Sequence, residues 1–190
     1  MNETRIRTQT TPNPNAVKFI LNKDVKADGK ISFTDVDSCM HVPLAADILN
    51  LMNVVQVHLY ENVLTVTQDG DTNWVELSPR VIAVIKEKID SHNAFFETLT
   101  ASRPELPDEL RVIDEILDRT VRPTLQLDGG DLQVTGKDGH YVKIAYEGAC
   151  GGCPSSTSGT LNAIESVLRA EYDPQTIVVI DESAYDPYAY

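Results

Sequence analysis

Two cysteines three positions apart, in Gly148-Ala149-Cys150-Gly151-Gly152-Cys153-Pro154, carry the strongest chemical signal in the chain. A Cys-x-x-Cys pair suits dithiol redox work, half of a metal's thiolate shell, or two small residues packed at a turn. The run HYVKIAYE before it reads as a strand and PSSTSGTLNAIESVLRAEY after it as a helix, so the motif occupies a strand-to-helix turn. Gly151 and Gly152 let the backbone turn tightly enough for both sulfurs to face one centre, and Pro154 suits the first helical turn behind the second thiol. Unpaired N–H groups and the positive end of the helix dipole then favour thiolate over thiol, so both Cys150 and Cys153 are expected to be reactive. Ser155, Ser156 and Thr157 add hydroxyls that can donate to a bound sulfide, although the preference of such residues for helix starts favours capping.

Ligand counting constrains the metal reading. An iron–sulfur cubane and a structural zinc site each take four protein ligands. The chain has three cysteines, and the third, Cys39, stands beside Met40 and His41 in mixed sequence, where a lone cysteine reads as packed and inert. With no second cysteine pair, two chains must contribute, and a two-fold dimer with a cluster clamped between two CGGC loops meets the count. Zinc would have to recruit His140 or another side chain, and none has the usual spacing from Cys153. A thioredoxin-type dithiol needs its motif inside a parallel βαβ unit, and the antiparallel hairpin read just before Cys150 argues against one. Metal half-site, dithiol oxidoreductase and packed turn all stay open on the residues alone.

The elements around the motif read as α-β-β-α-β with a three-stranded sheet. DELRVIDEILDRTV forms a helix with Leu110, Ile113 and Leu117 on one face and acids in its first turn, ending near Arg122-Pro123. DLQVTG and HYVKIAYE pair across Lys137-Asp138-Gly139, and TIVVI closes the sheet. Asp128-Gly129-Gly130-Asp131 has too few oxygen ligands for calcium and reads as a turn.

A separate α+β domain precedes this one. RIRTQT and AVKFIL flank the turn Pro12-Asn13-Pro14-Asn15, Lys30 to Val36 supplies a strand, and Pro43 opens a helix through Leu44, Ile48, Leu49 and Met52. VVQVHLY and NVLTVTQ form a hairpin at Glu61-Asn62, Ser78-Pro79 starts a helix through Val81, Ile85 and Ile89, and Trp74 reads as a packing residue. The division is therefore residues 1–91, a linker over 92–107, a second domain over 108–182 and an acidic, aromatic tail over 183–190. A flexible linker of about 16 residues reaches roughly 20 Å. Phe95 and Phe96 argue that part of it docks on a neighbour.

A net charge of -13 excludes nucleic acid as a partner, because phosphate binding needs clustered Lys and Arg, and it steers basic protein surfaces toward the chain. No stretch approaches the roughly 18 apolar residues of a membrane span, and MNETRIRTQT lacks the layout of a secretory signal. A cytoplasmic location is expected, as the odd cysteine count also suggests.

RPTLQLDGGDLQVT, EGACGGCPSST and the helix after them resemble the C-terminal domain of the NifU-like family of iron–sulfur cluster scaffolds and carriers, over about residues 108–182. The family's Arg-Pro, Asp-Gly-Gly-Asp and G-A-C-x-x-C-P-S-S segments occur in order as Arg122-Pro123, Asp128 to Asp131 and Gly148 to Ser156. TQTTPNPNAVKFILN is similar to the N-terminal domain of the Nfu branch, over about residues 5–90. The resemblance implies a carrier, not an enzyme, with Cys150 and Cys153 as cluster ligands. It implies one [4Fe–4S] cluster bridging a homodimer, with [2Fe–2S] chemically possible. An upstream assembly scaffold as donor and apo iron–sulfur proteins as clients are implied with it. The long family members' extra cysteine-bearing regions are missing from this sequence, which favours carrying over assembly. A client adaptor working through the first domain, without a cluster, is the alternative binding-module reading.

Overall fold

The computed structural model describes residues 3–96, 107–150 and 159–181, and the chain divides into two compact units, residues 1–101 and 102–190. Both are α+β, with sheets of five and three strands.

In the first unit, strands β1 (Ile6–Thr10), β2 (Ala16–Leu21), β3 (Lys26–Phe33), β4 (Val54–Glu61) and β5 (Val63–Gln68) form an antiparallel sheet in the order β1-β2-β5-β4-β3. The Pro12–Asn15 turn is held by the Thr11 hydroxyl, which donates to the carbonyls of Asn13 and Ala16 at 2.9 and 3.0 Å. Helices α1 (Pro43–Leu49) and α2 (Trp74–Lys88) supply Leu44, Ile48, Val81 and Ile85 to a core shared with Phe19, Leu59 and Leu64. Packing on this unit continues past α2: Phe96 is buried, and His92 Nε2 donates to the Val25 carbonyl at 2.7 Å.

Three boundaries differ from the sequence reading. The third strand ends at Phe33, because the Asp35 carboxylate accepts from the backbone N–H groups of Asp37 and Ser38 and turns the chain. The first helix stops at Leu49, leaving Met52 exposed beyond it. The second begins at Trp74, not Ser78-Pro79. Asn73 is its cap, accepting from Glu76 N at 3.0 Å, and Pro79 lies inside. The proline is tolerated there because the carbonyl it cannot serve belongs to Val75, on the exposed side.

The second unit runs α3 (Asp108–Thr120), α4 (Arg122–Leu127), β6 (Gly130–Asp138), β7 (Tyr141–Gly148), α5 (Leu161–Glu171) and β8 (Ile177–Ile180). Strand alternation puts Leu132, Val134, Val142, Ile144 and Tyr146 into a core with Ile113 and Leu117 of α3 and Ile164 and Leu168 of α5. The expected hairpin is present, with Gly139 at φ 58° in its turn.

Two features of this unit correct the reading. Helix α3 ends at Thr120, close to Arg122-Pro123 as read, but the same pair also opens a second short helix, since proline suits a first turn. The order is thus α-α-β-β-α-β. Strand β8 pairs with β7 in parallel, with α5 as the crossover, so the motif does lie within a parallel β-α-β connection. The topological objection to a dithiol reading falls with that pairing.

Gly159 stands just before α5 at a position where an added Cβ meets no atom within 4 Å. Gly159→Ala is expected to stabilise the second unit by about 0.5–1 kcal/mol through reduced freedom of the unfolded chain. Urea unfolding followed at a probe in that unit should show a higher midpoint at unchanged slope.

Candidate metal centre

Cys150 follows the last residue of β7 by two positions. Gly148 adopts φ 59°, the Ala149 N–H donates to the Gly129 carbonyl at 3.1 Å, and the Cys150 N–H donates to the Glu147 carbonyl at 3.3 Å. These bonds fold the end of β7 back over the start of β6, where Gly130 pairs with Gly148. A Cβ on Gly130 would overlap the Cys150 sulfur and come within 2.8 Å of the Cys150 nitrogen. The Asp-Gly-Gly-Asp run therefore does two things. Gly129, at φ 82°, makes the turn, and Gly130 gives the thiol a place to lie.

The strand under the sulfur is anchored by buried charge. Asp131, 0% exposed, accepts from Leu132 N at 2.7 Å and Gln126 Nε2 at 3.0 Å, and faces Arg122 Nε at 3.3 Å. Arg122, 3% exposed, also forms ion pairs with Asp114 and Asp118 and donates to the carbonyls of Asp114 and Leu132 at 3.3 Å. Burial works against its charge, but the carboxylates of Asp114 and Asp118 outweigh it and raise the guanidinium's pKa. Removing one partner from such a group strands a charge in the interior, at a cost of about 3–5 kcal/mol. The sequence reading treated Arg122 and Asp131 as a helix stop and a turn. The spacing Asp114, Asp118, Arg122, four residues at each step along helical sequence, was the available signal.

The thiol itself departs from the expected open loop. Cys150 is 7% exposed and belongs to the second unit's core. A metal or a client thiolate reaches this sulfur only after local movement. Cys153, Pro154, Ser155, Ser156 and Thr157 lie outside the described residues, as do the linker from 97 to 106 and the tail from 182.

Other candidate ligands separate from Cys150. His140 sits before the opposite end of β7, about 25 Å away at the rise of a strand, and its Nδ1 is 2.8 Å from Asp173 Oδ2. Cys39 lies in the first unit at 0% exposure, its sulfur 3.4 and 3.5 Å from the carbonyls of Val36 and Asp35. Burial, with the Asp35 charge adding to it, pushes its thiol up to about 11. It is packed and inert, as its isolation in the sequence suggested. Among the described residues no three or more His, Cys, Asp or Glu side chains gather as a metal site.

Residues 6–92 match the family model described as scaffold protein Nfu/NifU N terminal, and residues 113–179 match the NifU-like domain. The chain belongs to the NifU-like family. NifU-like protein 4, mitochondrial, of Arabidopsis thaliana is 34% identical over 172 residues, which is 86% of this chain and 61% of that protein. The human NFU1 iron-sulfur cluster scaffold homolog, mitochondrial, is 32% identical over 169 residues, 86% of this chain and 66% of the relative. The NifU-like chain thus spans less than two thirds of these relatives' length. The solution structure of a NifU-like protein from Saccharomyces cerevisiae aligns with a TM-score of 0.43 at 26% identity, covering 48% of this chain and 85% of that one.

Two outcomes follow from the geometry. Gly130→Ala should force the Cys150 sulfur or the β6–β7 pairing to shift, costing about 1–3 kcal/mol in the second unit's unfolding free energy, measured by urea denaturation. At pH 8 a thiol at about 11 is thiolate in roughly one molecule in a thousand, so iodoacetamide should leave Cys39 unlabelled in the folded chain. Mass spectrometry after labelling in and out of denaturant checks this.

Proposed function

We propose that this chain is a carrier that holds an iron–sulfur cluster as cargo on the thiolates of Cys150 and Cys153 and passes it to apo-proteins. The observation that supports this most is the setting of Cys150 within a NifU-like domain. The thiol is at a strand end, with Cys153 three positions on and no third ligand gathered around it among the described residues. Two sulfurs fill half of an iron–sulfur cubane's protein shell, so a second copy of the chain completes it, giving one [4Fe–4S] cluster per homodimer. Holding the cargo and dimerising are then linked, and release of one loosens the other.

The first unit serves as the docking domain for clients or for the upstream scaffold that delivers the cluster. No described helix is long and apolar enough to cross a membrane. Three cysteines in a chain of 190 residues suit a reducing compartment such as the cytoplasm, while the relatives named above are mitochondrial proteins. The role is transfer of a preformed group, without turnover of a substrate.

The parallel β7–β8 pairing favours one competing reading, a dithiol that exchanges disulfides. Anaerobic reconstitution separates the two. The carrier reading expects a brown protein with about four irons per dimer by metal analysis, lost in Cys150→Ser and in Cys153→Ser, and a return to monomer on chelation seen by sedimentation. Undiminished iron in either variant, or disulfide turnover by iron-free protein with no cluster uptake, would falsify it.

A further inference from the structure

Each of the two sheets ends in a pair of edge strands, where unpaired N–H and carbonyl groups invite a further strand unless something blocks them. Three of these edges are blocked. In β6 the outward N–H of Leu132 donates to the Asp131 carboxylate at 2.7 Å, and the Leu132 carbonyl accepts from Arg122 Nε at 3.3 Å. In β8 the Val178 N–H donates to Glu165 Oε2 at 3.0 Å. Strand β3 is bulged between Lys26 and Lys30, and its Ala27 N–H donates to the Ala94 carbonyl at 3.0 Å. Strand β1 has no such device. It contains no proline and pairs with β2 in unbroken register. Because Asn22 N donates to the Arg5 carbonyl at 3.3 Å, the alternation of an antiparallel ladder turns the backbone groups of Arg7 and Gln9 toward β2 and those of Ile6, Thr8 and Thr10 outward. Among the described residues nothing bonds to these outward groups.

The open edge is also basic. Residues 4–23 hold Arg5, Arg7, Lys18 and Lys23 and no Asp or Glu, in a chain where acids outnumber Lys and Arg by 29 to 16. Ile6 packs against the core, so strand alternation places Arg7 and Gln9 on the opposite face of the sheet, with Lys18 directly across from Gln9. Lys23 is held by Asp90, whereas Arg5 and Arg7 are exposed and form no ion pair among the described residues. A second copy docked strand to strand would crowd the arginines of both chains together with no carboxylate between them, which disfavours self-pairing. An acidic strand meets the opposite sign and a free row of donors and acceptors.

We infer that the outer edge of β1 takes an extended acidic segment of a partner protein as an added strand, its acids facing Arg5 and Arg7 and its alternate, β-branched residues lying beside Ile6 and Thr8. Exposed ion pairs each add little, so the charges select the partner while the backbone bonds to Ile6, Thr8 and Thr10 hold it. This gives a chemistry to the docking role proposed for the first unit and rests on that reading.

The intact chain is titrated with acetyl-Thr-Glu-Val-Glu-Val-Thr-amide and followed by NMR and amide hydrogen exchange. One control peptide carries Lys in place of Glu, and another is N-methylated at both valines, which removes the N–H groups that would pair with β1. Saturable shifts in β1 are expected from the first peptide alone, with exchange at the Ile6, Thr8 and Thr10 amides slowed about tenfold or more at saturation. Arg7→Glu should weaken binding about tenfold and make the Lys peptide the better ligand, with Arg7→Lys keeping most of the original affinity. Thr8→Pro removes an outward N–H without touching the bonds to β2 and should abolish binding. Arg7 is exposed, so its variants keep the test decisive if Thr8→Pro unfolds. Equal protection by either control peptide, unchanged affinity in Arg7→Glu, or exchange at Thr8 and Thr10 that slows with protein concentration alone, which would assign the edge to a second copy, would overturn the inference. A chain that takes up iron yet gains no protection at β1 overturns the edge assignment and leaves the carrier reading standing.

Discussion

Backbone and sulfur meet in the second unit at a separation that no side chain survives. The end of β7 folds over the start of β6, and the sulfur of Cys150 occupies the volume a methyl group on Gly130 would take. That approach is held from below, because the residue next to Gly130 is a buried carboxylate tied to a buried guanidinium, an amide and its neighbour's N–H. A buried charge is tolerated only when its partners are in place, so Arg122 draws together α3, α4 and β6. A displacement at the thiol is therefore resisted by the whole packing of the unit and not by the loop alone.

The same anchoring bears on the proposed cargo. A ligand set that stays fixed while its metal leaves needs a support that does not relax, and a strand pinned by three donors to one carboxylate is such a support. Within the proposed function, the burial of Cys150 makes delivery and removal depend on movement near the strand end, while the site beneath keeps its shape.

Much of this was readable from residues alone where the determinants are local. Hairpins at Glu61-Asn62 and Lys137-Asp138-Gly139, the helix at Pro43 and the core face of α3 follow from period, turn chemistry and proline placement. What escaped was set by contacts distant in sequence. Ser78-Pro79 looked like a helix start because nothing local reveals that Asn73, five residues before Ser78, is the cap. Arg122-Pro123 does mark the end of α3, and the short α4 it also opens escaped because six residues carry too little periodic pattern. The parallel partner of β7 is β8, 29 residues beyond it, and no pattern within either strand announces direction. The candidate site divided along the same line: the thiol pair is a local motif, whereas the glycine that accommodates one sulfur and the arginine beneath it act through space.

The covered position of Cys150 has a chemical corollary. Peroxide oxidises exposed thiolates most readily, first to a sulfenic acid and then to sulfinic and sulfonic acids that ordinary reductants do not restore. A sulfur lodged in an apolar core between strand ends presents little of itself to such attack. Under the proposed function, a chain cycling between rounds of loading in the presence of oxygen would keep at least one of its cysteines chemically intact without needing a repair enzyme.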